Sequence, residues 1–283
     1  MTEKTSDDST PEVNKEEELD DEALFGDIGG LFGDPQNCHG DMQHPFVYVW
    51  PKPLDDDDIS LYTNPPPGKK EIELSLPDTD SMELMAHHVW EAAIQMSNLI
   101  ARGVINVKGK RVLELGAGAA LPSIISSFCG SKMTVVTDYN ESAIVENMKK
   151  NLAKHVSLDR DDVGVFGYTW GESPDDVLCC NDDARFDAIL LADTLWLGDQ
   201  HDSLLTACDT FLKRDGGTIY LTYQHHNDKA PIFFDLATSD KWGYEIVSST
   251  KIPWGGRTLE EFDEDDGEAY GPVNLRLMRK KNI

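Results

Sequence analysis

Basic residues are scarce in this sequence. Its 283 residues include 25 Lys and Arg against 52 Asp and Glu, which gives a formal net charge of −27. Nucleic acids and anionic membrane surfaces are bound through clustered basic side chains, so this charge argues against both as partners. Long apolar runs are also missing. No segment reaches the roughly 18 apolar residues of a membrane-spanning helix, and the acidic stretch Met1–Asp21 does not resemble a signal or transit peptide.

Cysteine is infrequent, and its spacing does not indicate a metal site. The five Cys residues are an odd number and include no CxxC pair, so we expect free thiols, a cytoplasmic location and no metal centre. The adjacent pairs His87-His88 and His225-His226 are not expected to share a metal, because neighbouring side chains point away from each other on a helix or strand. His155 and His201 are expected on helix surfaces.

The pattern of charge and hydrophobicity divides the chain into three regions: 1–44, 45–80 and 81–283. Residues 1–34 carry twelve acids and two lysines, so we predict a largely disordered acidic leader. The sequence LFGD occurs twice in this leader. The repeat has two interpretations: a short docking motif for a partner, or part of a flexible segment. Residues 45–80 contain two extended pieces, Phe46–Trp50 and Glu71–Leu74, and are predicted to form an irregular or hairpin-like extension.

Residues 81–283 alternate between helical and strand-like apolar patterns. This alternation predicts an α/β fold with a doubly wound, Rossmann-like sheet of seven strands, mostly parallel, with helices on both faces. The last two strands have no helix between them and should form an antiparallel hairpin. The predicted strands are Arg111–Leu115, Met133–Asp138, Val163–Tyr168, Phe186–Ala192, Thr218–Tyr223, Tyr244–Ile252 and Val273–Arg279. The predicted helices are Met82–Arg102, Leu121–Cys129, Glu141–His155, Ser173–Cys180, Gln200–Leu212 and Ala230–Lys241.

A glycine-containing loop follows the first strand of this region. Gly116 and Gly118 allow a tight turn and a close approach of the backbone to a ligand at the start of a helix. The third glycine of a dinucleotide-binding GxGxxG loop would fall at Leu121, which weakens the case for NAD. Asp138 ends the next strand, where an acid is placed to accept the hydroxyls of a ribose. Its alternative role is the N-cap of the following helix.

Four motifs, in this order, resemble those of the seven-strand S-adenosylmethionine-dependent methyltransferases of the family-16 type, which includes protein lysine methyltransferases. They are Glu114–Gly118, Thr137–Tyr139, Gly167–Gly171 and Leu191–Trp196. The resemblance covers about Met85 to Lys280. It is greatest to fungal members first labelled nicotinamide N-methyltransferase-like and later understood to methylate the N-terminal region of translation elongation factor 1-alpha.

The resemblance implies the cofactor S-adenosyl-L-methionine and a set of residues that contact it. These residues are Trp90, Gly116, Ala117, Gly118, Asp138, Trp170 and Ala192. An aromatic wall for the adenine and backbone dipoles for the methionine end agree with these residue types. Both tryptophans have an alternative, purely structural role. Trp90 could be a core residue of an amphipathic helix, and Trp170 could also be a core residue.

The tip of the fourth strand departs from the family pattern. An acid is typically followed three positions later by Tyr or Phe, whereas this chain has Asp193 and Trp196. We expect both to line the acceptor channel as catalytic residues, Asp193 by orienting an ammonium group and Trp196 through its ring face. The larger indole changes the channel width, and Asp193 has an alternative role as a helix cap or surface acid.

These observations predict an N-methyltransferase that acts on a lysine or N-terminal amine of a protein. We expect a basic translation elongation factor as the partner, a monomeric enzyme, and no nucleic acid or membrane partner. Two alternatives stay open: small-molecule N-methylation of the nicotinamide type, and a non-catalytic cofactor-binding module that interacts through its acidic leader and the acidic run Glu260–Glu268.

Overall fold

The computed structural model describes residues 37–54, 59–79, 85–179, 185–224, 229–262 and 271–281. Several sequence predictions lie outside these residues. They are the acidic leader 1–34 with its LFGD repeats, the acids 55–58, the pair His225-His226, Cys180, and most of the acidic run that begins at Glu260.

Eleven strands and six α-helices are present in the described residues. The strands are β1 (Cys38–His39), β2 (Phe46–Val49), β3 (Glu71–Leu74), β4 (Val89–Trp90), β5 (Arg111–Leu115), β6 (Met133–Asp138), β7 (Val163–Gly167), β8 (Ala188–Ala192), β9 (Thr218–Tyr223), β10 (Tyr244–Ile252) and β11 (Val273–Lys280). The helices are α1 (Glu91–Ala101), α2 (Leu121–Phe128), α3 (Ser142–His155), α4 (Asp175–Cys179), α5 (His201–Phe211) and α6 (Lys229–Thr238).

Seven strands form one central sheet in the order β10-β11-β9-β8-β5-β6-β7. The pairs β5-β6, β6-β7, β5-β8 and β8-β9 are parallel. Strand β11 lies between β9 and β10 and is antiparallel to both. The predicted seven-stranded, mostly parallel sheet with an antiparallel C-terminal hairpin is therefore confirmed.

Helices cover both faces of this sheet, because successive residues of a fully buried strand point to opposite sides. In β8, Leu190 packs in one apolar cluster with Met96 of α1, Ile124 of α2 and Met148 of α3. Its neighbours Ile189 and Leu191 pack in a second cluster with residues of α4, α5 and α6. This arrangement is the doubly wound architecture predicted from the alternating pattern.

The order of the strands creates a crevice at the carboxyl ends of β5 and β8. From β5 the chain builds outward through β6 and β7, and it then returns to the other side of β5 to form β8. In open α/β sheets, ligands bind where the strand order reverses in this way. The loops after these two strands carry the glycines and Asp193.

Two small antiparallel pairs precede the central sheet. Strands β2 and β3 pair over four residues each, which confirms the two extended pieces predicted between residues 45 and 80. Strand β1 pairs with β4, with Cys38 opposite Trp90 and His39 opposite Val89. The second pair was not predicted, because two-residue strands carry no recognisable periodicity.

The predicted helix Met82–Arg102 is wrong at its beginning. Helix α1 starts at Glu91, and Trp90 has extended backbone angles at its N-cap position. The backbone of Val89 and Trp90 is paired with β1, and the Glu91 N–H donates to the Asn37 carbonyl oxygen at 2.8 Å. Pairing with a distant segment therefore overrides the helical pattern here.

Among the helices of the described residues, none is both long enough and apolar enough to cross a membrane.

Candidate active site

A cavity of about 460 Å³ opens at the carboxyl ends of the central strands. All nine predicted site residues line it: Trp90, Gly116, Ala117, Gly118, Asp138, Trp170, Ala192, Asp193 and Trp196. They come from five separate segments of the chain, and the fold brings them to one crevice. Their individual roles stay predictions.

The glycine loop between β5 and α2 forms the floor of this cavity. Gly116 has φ +71° and Gly118 has φ +52°, a region that residues with a Cβ adopt only with strain. A Cβ on Gly116 would lie 2.9 Å from Thr194 Cγ2 and 3.3 Å from Trp170 Cζ2. Only glycine therefore lets the loop pack this closely against Thr194 and Trp170, whereas the Cβ position of Gly118 has no atom within 4 Å.

Asp138 is fixed against the glycine loop by two backbone hydrogen bonds. The Gly118 N–H donates to one carboxylate oxygen at 2.6 Å, and the Tyr139 N–H donates to the other at 2.6 Å. Burial raises the pKa of Asp138 above its usual value, and these two bonds partly offset that effect. The N-cap of α3 is Glu141, so the alternative role of Asp138 as a helix cap is wrong.

Glu114 is a buried acid of the same cavity to which the sequence analysis gave no role. Its carboxylate accepts hydrogen bonds from the backbone N–H of Ser123 at 3.0 Å and from the Ser123 hydroxyl. Burial raises the pKa of Glu114 to about 8, so the side chain is mainly protonated at neutral pH. One N–H at the start of α2 is thus occupied by Glu114 and is not available to a ligand.

Asp193 occupies an unusual backbone position at the tip of β8. Its φ is +55°, and its N–H donates to the Thr222 carbonyl oxygen at 2.8 Å. The side chain is only 7% exposed, so it is not a surface acid. The N-cap of the following 3-10 turn is Leu197, so Asp193 is not a helix cap either. A buried acid in the cavity wall is what the acceptor-channel prediction requires.

Three tryptophans form aromatic walls around the cavity. Trp90, Trp170 and Trp196 are each half-buried, with a face left for the cavity. The Trp90 indole N–H donates to the Met85 carbonyl oxygen at 2.9 Å. Because Trp90 lies in β4 ahead of α1, its alternative role as a core residue of an amphipathic helix is wrong.

Two statements about histidines need correction. His201 is 2% exposed, packs against Phe233, and shares a hydrogen bond with the Leu195 carbonyl oxygen at 2.9 Å, so it is not a surface residue. The rings of His87 and His88 lie 4.3 Å apart, because these residues are in a turn where the helix geometry assumed for them does not apply. Within the described residues, no group of three His, Cys, Asp or Glu side chains is arranged to hold a metal ion.

The cavity is strongly acidic. Asp138, Asp193 and Asp199 line it together with Glu114, which is mainly protonated at neutral pH. Among the described residues that line the cavity, none is Lys or Arg. A cavity with this lining favours cationic ligands. Its glycine floor and its aromatic walls add room for a flat ring system.

Comparison with known proteins identifies the family. The sequence profile of a lysine methyltransferase family matches residues 69–240. The protein N-terminal and lysine N-methyltransferase efm7 of Schizosaccharomyces pombe is 33% identical over 211 residues, which cover 71% of this chain and 79% of that protein. The chain belongs to the lysine methyltransferase family. It is an S-adenosylmethionine-dependent protein N-methyltransferase.

Other similarities are consistent with this membership. The Candida glabrata protein N-terminal and lysine N-methyltransferase EFM7 is 29% identical over 264 residues, 92% of this chain and 99% of that protein. The solved structure of SMU.776, assigned as a methyltransferase complexed with SAH, superposes with a TM-score of 0.52 at 14% identity. The superposition covers 74% of this chain and 53% of the SMU.776 chain. This similarity shows that the two proteins share a fold.

The residues of this lysine methyltransferase family member fit the cofactor of the family. S-adenosylmethionine carries a ribose, an adenine ring and a positively charged sulfur. The cavity offers an acid fixed at the tip of β6, half-buried indoles, and an acidic lining. At Gly118 the Cβ position has no atom within 4 Å, so the loop leaves open space there for a ligand lying close to the backbone.

Proposed function

We propose that this enzyme methylates an amine, N-terminal or lysine, in the N-terminal region of a basic translation elongation factor. The observation that carries this proposal is the lining of the cavity, with three aspartates, the protonated Glu114 and no Lys or Arg among its described residues. The related proteins named above carry both N-terminal and lysine methylation in their names. Both acceptors are primary amines that arrive as cations at neutral pH.

Each of the nine predicted site residues has a role in this proposal. Asp138 accepts hydrogen bonds from the ribose hydroxyls, and the loop Gly116–Gly118 lies along the methionine end. Ala192 contributes to the floor at the tip of β8. Trp90 and Trp170 enclose the cofactor and exclude water, which strengthens the electrostatic interactions inside the cavity.

When bound, S-adenosylmethionine supplies an electrophilic methyl group on a positively charged sulfur. The chain's own task is to orient the acceptor nitrogen and keep water out. Asp193 accepts a hydrogen bond from the incoming amine, and the ring of Trp196 faces its positive charge. The amine gives up a proton to water, so that its lone pair would be free to accept the methyl group as the bond from that group to sulfur breaks.

The test incubates the pure enzyme with radiolabelled cofactor and three forms of the elongation factor. One form is intact, one has an acetylated N-terminus, and one also has the lysines of its N-terminal segment changed to arginine. If lysine is an acceptor, we expect label on the intact and the acetylated forms and none on the form that also lacks the lysines. If only the N-terminus reacts, we expect label on the intact form alone. Label on nicotinamide with none on protein would contradict the proposal. Cofactor binding without any transfer would favour a non-catalytic module.

We also propose that the enzyme is a monomer of the cytosol. Cys38, Cys129 and Cys208 are buried as free thiols. Burial raises the pKa of Cys38 and of Cys129 to about 11, which keeps both protonated and poorly reactive. Free buried thiols are typical of a reducing compartment. Sedimentation of the pure protein and fractionation of cells test the two statements separately.

A further inference from the structure

Thr194, which immediately follows Asp193 in the cavity wall, has a hydroxyl group without a hydrogen-bond partner. The residue is 4% exposed and lines the cavity. Among the groups of the described part of the chain, none forms a hydrogen bond with Thr194 Oγ1. A buried hydroxyl in this state destabilises the protein unless a ligand or an ordered water satisfies it.

Thr194 is an exception among the buried Ser and Thr residues that the structure describes. The others all have partners: Thr79, Ser97, Ser123, Ser126, Thr134, Thr137, Thr218 and Thr222. Thr222, on the neighbouring strand β9, donates to the Ala92 carbonyl oxygen at 2.8 Å. Within the described residues, the fold therefore satisfies the other buried Ser and Thr hydroxyls and leaves unpaired that of Thr194, a residue that lines the cavity.

The position of Thr194 places it on the cofactor side of the cavity. Its methyl carbon lies 2.9 Å from the place that a Cβ on Gly116 would occupy, and Trp170 lies 3.3 Å from the same place. The methyl group is thus packed against the glycine loop. Because a β-branched side chain has few rotamers, this packing also limits the positions open to the hydroxyl oxygen.

We propose that the Thr194 hydroxyl is a cofactor-binding group, which forms a hydrogen bond with S-adenosylmethionine when the cofactor occupies the cavity. The proposal rests on the cofactor site described above and adds a residue that the sequence motifs did not assign. It explains why the cavity wall keeps an unpaired polar atom: the bond is completed on binding. Removal of the hydroxyl should then weaken binding without weakening the unliganded fold.

The test compares Thr194→Val, which keeps the shape and removes the hydroxyl, with Thr194→Ser, which keeps the hydroxyl. Calorimetry measures the dissociation constants for S-adenosylmethionine and S-adenosylhomocysteine, and thermal unfolding without ligand measures stability. We expect Thr194→Val to bind S-adenosylmethionine roughly three- to tenfold more weakly, the range for one hydrogen bond. Its unfolding temperature without ligand should equal or exceed that of the wild type. Thr194→Ser should bind within about twofold of the wild type.

Thr222→Val is the matched control, because its hydroxyl has a partner inside the protein. This variant should lower the unfolding temperature, since it removes a buried hydrogen bond that the unliganded protein makes. If Thr194→Val lowers the unfolding temperature as Thr222→Val does, the hydroxyl is structural and the proposal is overturned. Unchanged cofactor affinity in Thr194→Val overturns it too, and means that water alone satisfies the hydroxyl or that it contacts the acceptor.

Failure of this inference can be distinguished from failure of the cofactor site itself. If Asp138→Ala weakens binding while Thr194→Val does not, only the role of Thr194 is wrong. If the wild-type protein binds the cofactor and both variants bind it with the same affinity, the cofactor occupies another place. Both proposals then fail.

Discussion

Asp138 and Gly118, twenty residues apart in the chain, are joined by a hydrogen bond of 2.6 Å from the Gly118 N–H to the Asp138 carboxylate. This bond fixes the position of the acid relative to the glycine loop before any ligand arrives. The carboxylate oxygens keep further lone pairs for the hydroxyls of a ribose. The site is in this sense preorganised.

Asp138→Ala should weaken S-adenosylmethionine binding by about 1.5 to 3 kcal/mol, a factor of roughly 10 to 150. The loss combines the ribose hydrogen bonds with the release of the glycine loop. Asp187→Ala is a matched control, because Asp187 accepts the backbone N–H of Arg111 at 3.0 Å at the other end of β5. Calorimetry should find normal affinity in the control. Equal affinity in both variants would remove Asp138 from the cofactor site.

Gly116→Ala should damage cofactor binding more than its backbone strain alone explains. The new Cβ would lie 2.9 Å from Thr194 Cγ2, closer than carbon atoms pack. Gly216→Ala is the control, because Gly216 has a similar φ of +76° and no atom near its Cβ position. Both changes should lower stability by the roughly 1 to 2 kcal/mol of a left-handed residue. Only Gly116→Ala should lower cofactor affinity; an effect of the same size in both variants contradicts the loop assignment.

Glu114 should make stability depend on pH. Its pKa is about 8 in the fold against 4.5 normally, so its contribution is fully present below about pH 4.5. That contribution falls as the pH rises, until the buried carboxyl itself ionises near pH 8. Glu114→Gln has no such titration, so its stability relative to the wild type should increase from pH 5 to pH 8 by at most a few kcal/mol. Urea unfolding at several pH values measures this difference, and parallel profiles would show that Glu114 does not titrate as described.

Asp193→Asn and Trp196→Ala should lower kcat by roughly ten- to hundredfold while cofactor affinity changes little. Asn retains the size of the side chain and removes the charge that orients a cationic acceptor. Ala removes one aromatic wall. Steady-state kinetics with a protein acceptor, together with calorimetry for the cofactor, separate the two effects. Loss of cofactor affinity together with thermal stability would mean that the residue is structural, and full activity in both variants would place the acceptor channel elsewhere.

Salt should slow the reaction with a basic protein acceptor. The chain carries a formal charge of −27, and its field attracts a cationic partner over distances that salt shortens. We expect kcat/KM to fall several-fold between about 10 and 150 mM salt, as the screening length shrinks from roughly 30 to 8 Å. A neutral small acceptor provides the comparison and should show almost no change. A flat profile with the protein acceptor would contradict electrostatic steering and leave the methyltransferase activity intact.

The sequence predicted the central sheet closely because β8 and β9 are continuous buried runs and turn residues separate the strands along the chain. The predicted bounds of β5, β6, β9 and β10 agree with the structure. The nine site residues also lie together as expected, since loops after neighbouring parallel strands meet at one edge. The start of α1 was missed, because Trp90 pairs with Cys38 across 52 residues and such pairing has no local signal.

The unassigned features of the site depend on three-dimensional surroundings. Glu114 and Ser123 are only nine residues apart, but the shared hydrogen bonds depend on how the loop between them turns. Thr194 belongs to a motif that was recognised, yet the absence of a partner for its hydroxyl follows from everything packed around it. A sequence shows which polar residues are present, and the structure shows which of them are satisfied.

The position of β11 has a consequence for how the chain is made. Strand β11 is the last strand that the structure describes, yet it lies between β9 and β10 and pairs with both. During synthesis, β9 therefore keeps an unpaired edge until residues 273–280 leave the ribosome. Unpaired edges of apolar strands are prone to pair with other chains. The nascent protein therefore depends on a late, non-local step to close its sheet.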